Sequence, residues 1–168
     1  NLSNSLLFDY LSQVYIFWIE TAQLAGMRVD TYPYNDIQVA STFIQTIRDE
    51  YPKMNVVGEC WVKTPAETAY YQSGNNNKDG FDSRLPSVMD FLLKDVLHEA
   101  INQSEGWESG MARYYAHYAQ DFVYANTNLL MNFLDNHDID RFSTAVKGDV
   151  RKYKMGLAML MTTRGYPQ

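Results

Sequence analysis

Apolar residues along this chain follow two alternating rhythms. Five sets sit at helical spacing: Leu7, Tyr10, Leu11, Val14 and Trp18; Phe43, Ile44, Ile47 and Tyr51; Leu93, Val96, Leu97, Ala100 and Ile101; Met111, Tyr114, Tyr115, Tyr118 and Phe122; Tyr153, Gly156, Leu157, Leu160 and Met161. Residues three and four apart share one helix face, so each set predicts an amphipathic helix turned toward a core. Between them lie short apolar runs at 27–30, 56–61, 88–91 and 129–134. Runs of that length suit strands buried on both faces, as in parallel sheets. Helix and strand alternating in this way predicts successive βα units.

Two architectures accommodate such units, a doubly wound open sheet and an eight-stranded barrel. No glycine-rich phosphate loop follows the first strand, which counts against a nucleotide fold. Acidic residues stand instead at the C-terminal ends of several separate strands, where the loops of a barrel converge on one mouth. The rhythm breaks twice, in the turn-rich segment 74–80 and in the polar segment 102–110, which contains Trp107. Periodic helices resume directly after both, so the sequence predicts a single domain over residues 1–168, with no linker and no internal repeat.

Three strand ends carry candidate chemistry. In Gly26-Met27-Arg28-Val29-Asp30, alternation sends Met27 and Val29 to one face and Arg28 and Asp30 to the other. Inside a barrel the charged pair points inward, and Arg28 keeps Asp30 ionised, as a nucleophile for sugar chemistry must be. A plain salt bridge accounts for the same two residues. In Asn55-Val56-Val57-Gly58-Glu59-Cys60-Trp61, Glu59 ends a strongly apolar strand and shares its side with Trp61. A carboxyl against apolar surface has a raised pKa and suits a general acid, while Trp61 can floor a sugar subsite. A glutamate facing solvent is the alternative. Cys60, on the opposite face, reads as a small core residue. In Phe133-Leu134-Asp135-Asn136-His137-Asp138, polar groups directly follow an apolar strand. Asn136 and His137 are placed to bind sugar hydroxyls and Asp138 to stabilise positive charge; the same turn could simply cap a helix.

Composition narrows the classes. A net charge of −6 argues against binding a phosphate backbone, so no nucleic-acid partner is expected. One cysteine excludes an intramolecular disulfide, and His98, His117 and His137 show no metal-ligand spacing. No run of about 18 apolar residues is present, so no membrane span is expected. His98 and His117 read as ordinary helix residues, Tyr114, Tyr115 and Tyr118 as core, and Asp79 and Asp82 as solvated loop charges.

Taken together, a strand-end Asp, Glu and Asp in that order, with an arginine two before the first, resemble the alpha-amylase family of glycoside hydrolases. The segments ending in Asp30, Glu59-Cys60-Trp61 and Asn136-His137-Asp138 look like the family's nucleophile, acid/base and transition-state-stabiliser segments. The wording of Asp30-Thr31-Tyr32-Pro33-Tyr34, Leu85-Pro86-Ser87-Val88-Met89-Asp90-Phe91 and Thr162-Thr163-Arg164-Gly165-Tyr166-Pro167-Gln168 further resembles its neopullulanase and cyclomaltodextrinase branch. The resemblance covers essentially the whole chain. It implies an α/β fold, the C-terminal part of a (β/α)8 TIM barrel from the helix before strand 4 to the start of strand 8. It also implies retaining hydrolysis of α-glucosidic bonds in maltodextrin, pullulan or cyclodextrin by Asp30, Glu59 and Asp138, with Arg28, Tyr32, Trp61, Asn136 and His137 binding substrate.

The resemblance calls for no organic cofactor. Calcium belongs to many family members, but its usual ligands are not identifiable in this sequence; a homodimer is an expectation for the full-length protein only. Transglycosylation by the same acids, a sugar-binding module and an incompetent truncated product are the alternatives. Location is open between the bacterial periplasm and cytoplasm. Two departures stand out. Ala25 replaces the aspartate usual before Gly26, and the family's first three strands have no counterpart. The abrupt ends suggest a piece of a longer protein, with exposed sheet edges expected near Met27 and Leu129.

Overall fold

The computed structural model describes residues 4–168. Five strands, β1 (Gly26–Val29), β2 (Asn55–Gly58), β3 (Ser87–Met89), β4 (Leu130–Asn132) and β5 (Tyr166–Pro167), form one parallel sheet in chain order. A doubly wound sheet reverses its strand order at a switch point, whereas a barrel adds each strand beside the last. Here each strand pairs with its successor and the order never reverses, so the sheet is a five-strand sector of a βα barrel. The helices are α1 (Ser5–Ala22), α2 (Ile37–Glu50), α3 (Pro65–Tyr70), α4 (Phe91–Asn102), α5 (Met111–Tyr118), α6 (Phe142–Ala145) and α7 (Val150–Thr162).

Strand register sorts the side chains into two layers. Gly26 to Val29 pair with Asn55 to Gly58, and Val57 and Gly58 pair with Ser87 and Val88. Met27, Val29, Val56, Val88 and Leu130 therefore face the helices, where they pack with Ile19, Ile44 and Ile47. Burying an aliphatic side chain of that size contributes roughly 1.5–3 kcal/mol, so this layer supplies much of the sheet's support. On the concave face Val57, Met89 and Met131 meet Phe91 and Phe133. Below them Ser87 Oγ donates to Asn55 Oδ1 at 2.9 Å, and Asn55 Nδ2 donates to Tyr166 Oη at 3.1 Å. That polar thread ties β2, β3 and β5 across the interior.

Several boundaries differ from the sequence pattern, each for a local reason. The run at 88–91 stops at Met89 because the Asp90 carboxylate accepts the Leu93 N–H at 2.9 Å and starts α4. The helix pattern at 111–122 breaks after Tyr118, and a short 3-10 turn follows at Asp121–Val123. Tyr115 is 68% exposed and not core, while Tyr114 and Tyr118 pack beside the cluster around Phe142. Asp79 and Asp82 lie in loops as expected, Asp79 exposed and Asp82 half-buried, and both also shape those loops. Asp79 accepts the Phe81 N–H at 3.0 Å and the Tyr70 hydroxyl at 2.8 Å, and Asp82 accepts the Arg84 N–H at 2.8 Å. The strand near Leu129 is not an edge, since β4 pairs with both β3 and β5; the sheet's edges are β1 and β5.

A charged cluster lies between the sheet and its helices. Arg164 donates to Asp90 at 2.7 Å and to both oxygens of Asp121 at 2.8 and 3.0 Å, and its Nη2 lies 3.3 Å from His117 Nε2. The guanidinium also sits over the rings of Tyr118 and Tyr124, 5.2 and 5.8 Å from their centroids. Asp90 is fully buried. Burial pushes its carboxyl up, but His117 and the Arg164 guanidinium outweigh that and hold it below the usual carboxylate range. The next residue, Gly165, has φ +86°, and a Cβ there would lie 2.4 Å from the Leu130 carbonyl oxygen. Only glycine lets the chain turn from Arg164 into β5 so close to β4.

Replacing Arg164 with methionine strands the buried Asp90 charge and should cost about 3–5 kcal/mol at neutral pH, read from urea midpoints of the full-length protein. Because the folded carboxyl titrates below the unfolded value of about 3.9, the contribution is complete above that pH. It is lost as pH falls through the folded value, so the deficit should shrink in strong acid. A deficit independent of pH would refute this account.

Candidate active site

Strand β1 runs straight into the site. Its Arg28 pairs in register with inward-facing Val57, so the guanidinium enters the concave face as alternation requires. Asp30 follows the strand, and Thr31 then adopts a left-handed conformation, φ 45° and ψ 40°. A β-branched residue in that region carries strain on the order of 1–3 kcal/mol, and such strain collects at functional sites. Here it aims the Thr31 N–H at Glu59 Oε2, 2.7 Å away. Two backbone bonds, Glu59 N–H to Val29 O at 2.9 Å and Tyr32 N–H to Glu59 O at 3.1 Å, lock the ends of β1 and β2 together. Gly58 leaves space for Leu85, whose Cδ1 would lie 2.4 Å from a Cβ at that position.

The three strand-end acids converge on one cation. Arg28 Nη1 donates to Asp30 Oδ1 at 2.6 Å. Its Nη2 lies 3.1 Å from Glu59 Oε1, at ion-pair distance without hydrogen-bond alignment, and 3.8 Å from Asp138 Oδ2. The acids differ in burial. Glu59 has a side chain 6% exposed, Asp138 36% and Asp30 63%. The inward burial expected of Asp30 belongs to Glu59 instead. The surroundings of Glu59 are also less apolar than its strand suggests, since one oxygen meets a backbone N–H and the other a guanidinium.

The acids open on a cleft of about 640 Å³, also lined by Thr31, Tyr34, Trp61, Lys63, Leu92 and Asp95. Trp61 is half-exposed and stacks on Phe91 with centroids 4.6 Å apart and planes 12° from parallel. Phe91 in turn meets Phe133 edge-on at 4.9 Å, so the indole is braced from behind with one face toward the cleft. His137 is exposed, its Nε2 3.3 Å from Asp138 Oδ2. Asn136 uses its carbonyl to accept the Asp138 N–H at 2.9 Å, which shapes the turn; its buried Nδ2 has no partner among the described residues.

Tyr32 is a correction. Its side chain is fully buried and its hydroxyl donates to Ser83 O at 2.9 Å, so it packs the core and offers no surface to a substrate. Tyr34, two residues on and 82% exposed, is the tyrosine in the cleft. Pro33 opens a 3-10 turn that separates their directions, and nothing in Tyr-Pro-Tyr alone says which ring goes inward. Sequence reasoning also missed Thr31, whose role is conformational, and Lys63 and Asp95, which carry no motif. Asp90, the acid after β3, stays away from the cleft because its register position faces the helices. Cys60 is buried, its thiol pushed up by burial and then by Glu59, so it is an inert core group. His98 Nε2 donates to Leu134 O, 2.7 Å away, and His117 belongs to the Arg164 cluster. Among the described residues no group of three His, Cys, Asp or Glu is arranged to hold a metal ion, and no helix is long and apolar enough to cross a membrane.

Comparison with known proteins follows the same lines. A cyclomaltodextrin glucanotransferase of Geobacillus stearothermophilus is 29% identical over 170 residues, covering 99% of this chain and 22% of that protein. A cyclomaltodextrinase of Geobacillus thermopakistaniensis is 27% identical over 158 residues, 94% of this chain and 25% of that protein. The chain thus spans about a quarter of the length of the curated relatives it matches. An Anoxybacillus alpha-amylase structure superposes with a TM-score of 0.82 at 24% identity, over 99% of this chain and 35% of that one. The strand order is a barrel's, and the family described as Alpha amylase, catalytic domain, matches residues 1–168. That match over the whole chain, on a sheet with a barrel's strand order, shows that the chain belongs to the alpha-amylase catalytic-domain family.

Proposed function

We propose that the protein containing this chain cleaves α-glucosidic bonds of starch-derived glucans with retention of configuration. One observation carries the reading: carboxylates from the ends of β1, β2 and β4 meet around Arg28 in a single open cleft floored by Trp61. Asp30, exposed and hydrogen-bonded to Arg28, attacks the anomeric carbon. Glu59, buried and held by the Thr31 N–H, protonates the departing glycosidic oxygen. A covalent glycosyl ester on Asp30 results, and water activated by Glu59, now acting as base, hydrolyses it. Asp138 opposes the positive charge that develops on the sugar ring in both steps.

Transglycosylation is the second reading, favoured by the glucanotransferase relative. It uses the same acids and differs only in whether a sugar or water intercepts the ester. Products longer than maltotriose, formed from maltotriose alone, identify the transferase.

Three outcomes test the assignment in the full-length protein. Glu59→Gln should reduce glycosylation by natural maltodextrin on the order of 10²–10⁴-fold, with much less effect on a glycosyl fluoride, whose leaving group needs little protonation. Equal losses in single-turnover kinetics remove Glu59 from the acid role. A fluorinated glycosyl fluoride that slows turnover should leave its sugar on the Asp30 peptide; mass spectrometry placing it on Asp138 or Glu59 sinks the nucleophile. Arg28→Lys should lower kcat/KM on the order of a hundredfold, because a point charge cannot hold two carboxylates in fixed directions. Full activity in the Arg28→Lys protein contradicts the positioning role given to the guanidinium.

A further inference from the structure

The catalytic cleft does not end at Trp61. Leu92 and Asp95 line it from α4, and the same two residues also line a second groove of about 560 Å³ between α4 and α5. Leu92, Asp95, Val96 and Glu99 are spaced i, i+3, i+4 and i+7, so one face of α4 forms a continuous wall. From Leu92 to Glu99 that wall runs about 10 Å along the helix axis. At its far side stands Trp107, completely exposed, beside Glu108.

A fully exposed indole at the wall of a groove is an unusual use of the largest apolar side chain. The turn that presents it is built, with Gly106 and Ser109 bridged and Ser109 Oγ donating to Ser104 O at 2.9 Å. Around the groove stand groups that bind hydroxyls: Asp95, Glu99, Glu108, Gln120 and Arg113, whose Nε is 2.9 Å from Glu99 Oε2. A flat apolar ring flanked by carboxylates, an amide and a guanidinium matches a sugar ring, which has apolar faces and a polar rim. It matches a peptide or lipid surface poorly, since charged groups interrupt whatever apolar surface the groove offers.

We propose that this α4–α5 groove, with Trp107 as its platform, is a distal α-glucan subsite continuous with the catalytic cleft. It takes the far end of a long chain whose scissile bond lies at Asp30 and Glu59. The proposal rests on the glucan reading above and extends it: the protein should favour long substrates over short ones. Trp61 serves every substrate, and Trp107 serves only those long enough to pass Leu92 and Asp95.

The test is binding by the full-length protein carrying Glu59→Gln, which slows turnover, titrated calorimetrically with maltotriose and with a long linear maltodextrin. Adding Trp107→Ala should weaken the long ligand roughly threefold to tenfold, the scale of one aromatic stacking contact, and leave maltotriose unchanged. Adding Trp107→Tyr should restore most of the loss. Equal affinity of the Ala variant for the long ligand overturns the subsite, as does an equal loss for both ligands, which would mark a structural role. If the protein carrying Glu59→Gln alone binds neither ligand, the glucan reading falls and this subsite with it.

Discussion

Among the described residues Arg28 is the only cation within ion-pair reach of all three acids, Asp30, Glu59 and Asp138, and the geometry of the cleft depends on it. Three carboxylates gathered by themselves would repel one another and spread or take up protons. A guanidinium presents several N–H groups in a fixed plane, so it can hold different acids on different edges at once. Its position is not a matter of side-chain choice alone. Register with β2 places Arg28 level with Val57, inside the curve of the sheet, and the αL turn at Thr31 then brings a backbone N–H onto Glu59.

The same alternation that brings three acids together keeps a fourth apart. Asp30, Glu59 and Asp90 each follow a parallel strand, yet Asp90 faces the helices, where Arg164 neutralises it and His117 lies 3.8 Å away. The sheet therefore carries two arginine-centred clusters, one on each face. The inner one is open to solvent, with Asp30 63% exposed. The outer one is closed, with Asp90 buried and paired, and it fixes α5 and the turn into β5 against the sheet. Similar chemistry stands open to solvent on one side and gives cohesion on the other, and solvent access is what separates them.

Core and cleft also share atoms. Phe91 begins α4, packs against Phe133 inside the sheet, and braces Trp61 from below. The aromatic floor of the cleft is thus the top of the hydrophobic interior, so its orientation is set by packing and not by a flexible loop. Leu92, the next residue, turns the other way and joins the cleft to the groove that leads toward Trp107.

Much of this was legible in the sequence. Apolar runs at 27–30, 56–61, 88–91 and 129–134 located the first four strands, though not their ends, because burial on a parallel sheet leaves near-continuous apolar runs, and helical periodicity located the long helices. The three acidic segments were legible because charged groups interrupt those runs at their C-terminal ends. Other features depended on distance across the fold. Tyr32 and Tyr34 look alike in sequence; a 3-10 turn and the carbonyl of Ser83, 51 residues away, decide that Tyr32 is core. Asp90 and Glu59 are both strand-end acids, and only strand register sends one to the helices and the other to the cleft. Thr31 contributes a backbone N–H, which no side-chain pattern reports, and Trp107 gains its place only because α5 packs beside α4. Alternation and periodicity are local and can be read along the chain. Facing, pairing and enclosure are relations between distant segments, and they come into being only when the sheet curves and the helices close over it.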